Sequence, residues 1–360
     1  MRKKVLPVLG LLALAFLFAA CAPNASQDSL KPAGPYARET KSLFENVFWF
    51  GAVPVFVLVE GGIVWILIKY RHRKGRDRIP PQIHGNTRLE IGWTILPAIV
   101  LAVVMVPTVA TIWDLARTPP SDALHVTVTG QQWFWRFTYT DADMQTAAQT
   151  PGPIETDNEL VIPTGRVVYL TVVSGVGNIV RPTDGVSDAE VIHSFWIPEL
   201  AGAQDAIPNH ENHILMQADQ PGIYHGQCKE FCGLSHGIMK AQVRAVTAEQ
   251  FDAWAAGQKL DAIEPTTGLA ASGFDAFMNG QCIACHAIQG TPAAGIAAPN
   301  LTHLQSRGCM VGCMLDPSNP DDLATWLHDP PAFKPGSFMP NYHLSDEEIH
   351  QLVAYLQTLK

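Results

Sequence analysis

Twelve consecutive residues, Cys228-Lys229-Glu230-Phe231-Cys232-Gly233-Leu234-Ser235-His236-Gly237-Ile238-Met239, carry two thiols, an imidazole and a thioether. Soft donors of this kind suit copper far better than magnesium or calcium. A second imidazole stands upstream in Val191-Ile192-His193-Ser194-Phe195-Trp196. Zinc also accepts Cys and His, but structural zinc sites rarely recruit Met. A separate constellation, Cys282-Ile283-Ala284-Cys285-His286, is the pattern of c-type haem attachment, in which two thioether bonds hold the porphyrin and the histidine ligates iron.

The elements that must position these donors begin with an export signal. Arg2, Lys3 and Lys4 precede an apolar run from Val5 to Phe18, which ends in Ala19, Ala20 and Cys21. Residues 1–21 therefore read as a signal peptide. The segment before Cys21 resembles a lipoprotein cleavage site, with Phe18 where Leu is usual; lipidation, an uncleaved anchor and a plain signal all remain open. After a polar linker, 22–43, come two apolar runs, Val47 to Ile68 and Ile91 to Trp113. Each can cross roughly 30 Å of hydrocarbon. The dense positive charge from Lys69 to Arg78 holds the connecting loop on the cytoplasmic side, so 44–115 is a transmembrane hairpin with both flanks facing outward. Glu60, mid-span beside Gly61 and Gly62, is a functional candidate as an intramembrane acid, and a buried hydrogen-bonded role against a larger membrane partner is the favoured reading.

From Leu124 the pattern changes to short alternating strands such as His125-Val126-Thr127-Val128-Thr129, separated by Gly and Pro turns, and 120–246 reads as a β-barrel or sandwich. A helix and linker occupy 247–268, and a small helical domain fills 269–360. Its last helix starts at Ser345, with Glu348 completing a capping box. The charged fraction of 16 % is below the roughly 25 % of soluble proteins, in keeping with a membrane portion. A net charge of −9 excludes nucleic acid as a partner and suits a basic redox protein. Cys309 and Cys313 form a further close pair, which in an oxidising compartment reads as a local disulfide ahead of free thiols or a metal site.

The arrangement C-x-E-x-C-x3-H-x2-M with an upstream V-x-H-S-F/W resembles the binuclear CuA site of the haem–copper oxidase subunit II family. The resemblance implies a multidomain chain: a two-helix transmembrane hairpin, a cupredoxin-like Greek-key β-barrel and an all-α class I cytochrome c domain. It implies that Cys228 and Cys232 bridge two coppers, that His193 and His236 bind one each, that Met239 is a weak ligand and that Glu230 binds through its backbone carbonyl. The Glu230 carboxylate would then be free to help hold magnesium at the border with the catalytic subunit. Gly130-Gln131-Gln132-Trp133-Phe134-Trp135-Arg136-Phe137 matches the family's aromatic segment, which makes Trp133 the place where electrons come in; Leu89-Glu90-Ile91-Gly92-Trp93-Thr94-Ile95-Leu96-Pro97 matches the start of the second membrane helix, which makes Glu90 a proton collector. Each has a plainer alternative, an ordinary strand aromatic and an interfacial acid.

Downstream of the haem signature, Ala298-Pro299-Asn300-Leu301 and Gly336-Ser337-Phe338-Met339-Pro340 follow the order of a class I cytochrome c, which implies Met339 as the sixth iron ligand. The Cys309/Cys313 pair departs from that pattern. The family implies a partner catalytic subunit I, a subunit III, a soluble cytochrome c or similar donor, surrounding lipid, and a bacterial inner membrane with the copper and haem domains on the periplasmic or extracellular side. Oxygen reduction, and with it proton translocation, would belong to subunit I, since this chain lacks the many membrane histidines such a centre needs. A CuA-bearing nitric oxide reductase subunit and a free-standing electron-transfer protein share the motifs. A quinol oxidase subunit is disfavoured by the intact copper donors.

Overall fold

The computed structural model describes residues 31–71, 82, 84–144, 152–175 and 191–360. The signal segment with Cys21, the first part of the linker and the basic stretch 72–78 lie outside the described residues.

Two long helices open the described chain, α1 (Pro35–Tyr70) and α2 (Thr87–Leu115). Both overrun the apolar segments. The first starts inside the expected linker because Pro35 occupies its first turn, where a missing N–H costs nothing, and because Tyr36 and Ala37 are buried. One π turn, Phe48–Ala52, interrupts α1. Asn86 caps α2 by accepting from the Arg88 and Leu89 amides, and Pro97 and Pro107 sit within its length. No residue of Val53–Tyr70 or of α2 is buried, and Glu60 is exposed among them. The outer ends of the hairpin are rooted on the next domain and meet each other. Ala33 N–H donates to the Glu199 carbonyl at 2.7 Å, Arg38 pairs with Asp219, and the Arg117 guanidinium lies 5.4 Å above the Tyr36 ring.

Ten strands follow: β1 (Leu124–Gln131), β2 (Phe134–Tyr139), β3 (Ile154–Asp157), β4 (Glu159–Pro163), β5 (Val168–Ser174), β6 (His193–Trp196), β7 (Ala203–Ala206), β8 (Asn212–Met216), β9 (Gly222–Cys228) and β10 (Lys240–Val246). They form two five-stranded sheets, β3-β2-β1-β5-β8 and β4-β10-β9-β6-β7. Alternation sets the inner face: along β5, Val168, Leu170 and Val172 are fully buried while Tyr169, Thr171 and Val173 turn outward. Trp135, Phe137, Tyr139 and Phe195 fill the space between the sheets. This is the cupredoxin-like sandwich, and it brings β6 beside β9, with Phe195 opposite Cys228.

Helix α3 (Ala248–Gln258), started by a Thr247/Gln250 capping box, packs Phe251 into the sandwich core. The chain then builds a second core from α4 (Gly268–Asn279), α5 (Pro320–His328), α6 (Pro330–Phe333) and α7 (Asp346–Leu356). The Ser345/Glu348 capping box forms as expected. Helices α4 and α7 cross at Gly273, where a Cβ would stand 1.9 Å from the Gln351 carbonyl oxygen. Rings of Phe274 and Phe277 then meet Tyr355 edge-on at 5.5 and 5.7 Å.

Candidate metal centre and haem pocket

The β6–β9 ladder and the loop after β9 gather the predicted copper donors. His193 opens β6 and is wholly buried; Cys228 closes β9; Cys232, His236 and Met239 come from the loop that returns into β10. That loop is closed by backbone bonds from Cys228 N–H to Met239 O at 3.0 Å and from Met239 N–H to Ser235 O at 3.1 Å. Cys228 Sγ lies 4.0 Å from His193 Nδ1, 3.8 Å from Cys232 Sγ and 3.2 Å from the Glu230 carbonyl oxygen. Cys232 Sγ lies 3.6 Å from His236 Nδ1 and 3.8 Å from Met239 Sδ. All six predicted ligand positions thus converge on the two sulfurs, and the Glu230 side chain points away, exposed. Both thiols are free rather than joined in a disulfide.

The chemistry of this donor set fits copper. Hydrogen bonding from Cys232, aided by His193, drives the Cys228 thiol far below its ordinary range, while the same bond raises Cys232. Thiolate is the form that binds metal, and the pair is already arranged to give up a proton. Gly130 is a part that motif reading passed over. A Cβ there would stand 2.9 to 3.0 Å from three carbons of His193, so the glycine makes room for the imidazole. A glycine inside a strand pattern was the available signal.

Trp133 and Gln132 hold the back of the loop. The Trp133 indole N–H donates to the Cys232 carbonyl at 2.9 Å and the Gln132 amide donates to the same oxygen at 2.7 Å. Trp133 is 1 % exposed.

The haem motif lines a cavity of about 470 Å³, within the range of cofactor pockets. Cys282, Cys285, His286 and Met339 all line it, and so does Trp133. Both cysteines are free. His286 Nδ1 is 2.8 Å from the Pro299 carbonyl, which can only accept, so Nδ1 carries the hydrogen and Nε2 is left as a donor to iron. Burial also pushes His286 below its ordinary range and keeps the imidazole neutral. These residues fit a covalent haem c. Cys309 and Cys313 are joined in a disulfide, as expected.

Glu90 lies in the first turn of α2, where its carboxylate accepts from the Asn86 N–H at 3.1 Å. It belongs to the membrane helix and, among the described residues, makes no recorded contact with the copper loop.

Matches to known families cover nearly all of the described chain. Residues 24–111 match the transmembrane domain of cytochrome c oxidase subunit II, 124–246 its periplasmic domain, and 270–360 cytochrome c. A cytochrome c oxidase subunit 2 of Alkalihalophilus pseudofirmus is 33 % identical over 96 % of this chain and 95 % of its own. The chain belongs to the cytochrome c oxidase subunit II family. Its C-terminal cytochrome c domain makes it a fused, caa-type subunit II. The subunit 2 of Bacillus sp. (strain PS3) is also 33 % identical, over 81 % of this chain and 80 % of that relative. A quinol oxidase subunit 2 of Bacillus spizizenii is 34 % identical over 70 % of this chain and 71 % of its own. Membership implies CuA copper and haem c as cofactors, a role in electron transfer, a membrane location with the soluble domains outside, and a catalytic subunit as partner.

Proposed function

We propose that this subunit II accepts electrons from a soluble cytochrome c or similar carrier at a haem c held by Cys282, Cys285, His286 and Met339. They leave through a dicopper CuA centre held by His193, Cys228, Cys232, His236, Met239 and the Glu230 carbonyl, toward the catalytic subunit that reduces oxygen to water. The bound metals supply one-electron oxidation and reduction; the chain supplies position. Cys228 and Cys232 would hold the coppers as thiolates, and a loop closed by its own backbone bonds would keep those donors still while the metals supply the one-electron chemistry. Met339, which lines the same cavity as His286, would as an iron ligand raise the haem potential, which suits relay into an oxidase.

The observation that carries this reading is Trp133. One residue lines the haem cavity and hydrogen-bonds the backbone of a copper ligand. The exposed Glu230 carboxylate serves a magnesium ion at the border with subunit I, Glu90 collects protons at the membrane edge, and the complex, with a subunit III, sits in a bacterial inner membrane with its copper and haem domains on the periplasmic or extracellular side.

Optical and paramagnetic resonance spectroscopy of the intact complex tests this. Low-spin haem c together with a mixed-valence dicopper signal is expected, and metal analysis finding no copper would overturn it. A partner carrying non-haem iron in place of a copper–histidine centre would reassign the chain to a nitric oxide reductase.

A further inference from the structure

One carboxylate of the copper domain is buried against the haem domain between two arginines. Asp157 ends β3 with no exposed side-chain surface; Arg136 of β2 lies 3.5 Å from one of its oxygens and Arg307 of the haem domain 3.4 Å from the other. Neither oxygen reaches a hydrogen-bond partner among the described residues, so what Asp157 gives the two guanidiniums is charge and not a geometric clamp. The other acids nearby are engaged elsewhere. Glu159 pairs with Arg244 at 3.0 Å and accepts from Gln242 and the Gly308 amide at 2.5 and 3.1 Å, and Glu155 turns to the half-buried side of β3.

This charge set belongs to the haem cavity. Arg307 lines it, and so does Asn158, the residue after Asp157. Arg136 donates to the Ile296 and Ala298 carbonyls at 3.1 and 2.9 Å, next to the Pro299 carbonyl that takes the His286 hydrogen. His286, whose proton affinity is set first by burial, also feels the charges of Asp157, Arg307 and Arg136. Little solvent screens them, since the side chains of Arg136 and Arg307 are 7 % and 6 % exposed. The seam between the domains closes tightly on the Trp133 ring, where a Cβ on Gly233 or Gly336 would stand 2.9 or 2.6 Å from ring carbons, and both glycines take positive φ, +115° and +78°.

Oxidation of a haem iron adds one positive charge, which two guanidiniums oppose and a carboxylate favours. We infer that Asp157, a copper-domain residue, sets the potential of the haem in the neighbouring domain: by offsetting one of the two arginines it holds that potential down and makes the haem a stronger donor to copper. Asp157 acts through Arg307, and so is a positioning residue. This rests on the electron path proposed above. At an effective dielectric constant of about 20, one unit charge shifts a one-electron equilibrium roughly tenfold at about 12 Å, so the effect is large enough to measure.

Redox titration of the haem c and dicopper signals in the intact oxidase tests this. In Asp157→Asn the haem midpoint should rise relative to the copper midpoint, and the equilibrium between them should move roughly tenfold toward reduced haem, about 59 mV for one electron. Opening of the seam would let water reach the haem and lower its midpoint instead, so the sign separates a charge effect from a merely structural one. Asp157→Glu keeps the charge and should titrate below Asp157→Asn; equal values overturn the inference. Where Asp157→Asn does not assemble, Arg136→Gln, whose midpoint should fall, serves as the background, and adding Asp157→Asn to it should bring the midpoint back up. No rise on neutralising Asp157 in either background overturns the inference and leaves the electron path standing, whereas absence of the haem c or dicopper signal in the native complex would overturn the path itself.

Discussion

Lys334 of the haem domain donates its ammonium to the backbone carbonyl of Trp133 in the copper domain. Burial pushes this amine down to about 7 from an unfolded value of 10.5. Between those values the unfolded chain holds a proton that the folded chain has released, so stability rises with pH across the window and the penalty is full below it. In Lys334→Met that rise should vanish, as read by the thermal midpoint of the cytochrome domain at a series of pH values. A midpoint that still climbs equally between 7 and 10.5 in the variant would rule Lys334 out as its source.

Asp157→Asn leaves Arg136 and Arg307 facing each other without their shared carboxylate. Removing one member of a buried charge set typically costs about 3–5 kcal/mol. Urea unfolding followed through haem absorbance and through tryptophan fluorescence should then split into two transitions, where the native chain gives one. Coincident transitions in the variant would show that the charges do not couple the domains.

Met239→Leu should shift the copper potential and the dicopper spectrum while leaving the sandwich folded. Met-to-Leu exchange in a core costs less than about 1.5 kcal/mol, so the unfolding midpoint should barely move. Met239 is fully buried with its sulfur 3.8 Å from Cys232 Sγ, which makes an unaltered potential decisive against it as a ligand.

Glu90→Gln keeps an oxygen able to accept from the Asn86 amide and removes only the titrating group. The α2 cap should survive, haem-to-copper transfer should be unchanged, and turnover-linked proton uptake should slow. Equal uptake in variant and native enzyme would reduce Glu90 to a helix cap.

Legibility in the sequence followed distance along the chain. Cys228 to Met239 spans one loop and Cys282 to His286 one turn, so spacing alone exposed their chemistry. His193, 35 residues before Cys228, needed the family pattern, because a strand pairing joins them. The seam between domains left no local trace. Arg136 and Ile296 are 160 residues apart, and a buried Arg or Lys has no periodicity to distinguish it from a solvated one. Glycines 130, 233 and 336 were visible as letters, but what each makes room for is a tertiary fact. The start of α1 at Pro35 was hidden by the polar composition of its first turns, which pack on the sandwich instead of entering lipid.

Neither Val53–Tyr70 nor α2 buries a single residue, and Glu60 stands on the open surface of the hairpin. Two such helices in lipid would keep a carboxyl group in hydrocarbon until neighbouring helices arrive to shelter it. An unpartnered hairpin would therefore carry the full cost of keeping that carboxyl group in hydrocarbon, and only helices that offer it a hydrogen-bonding partner would relieve it.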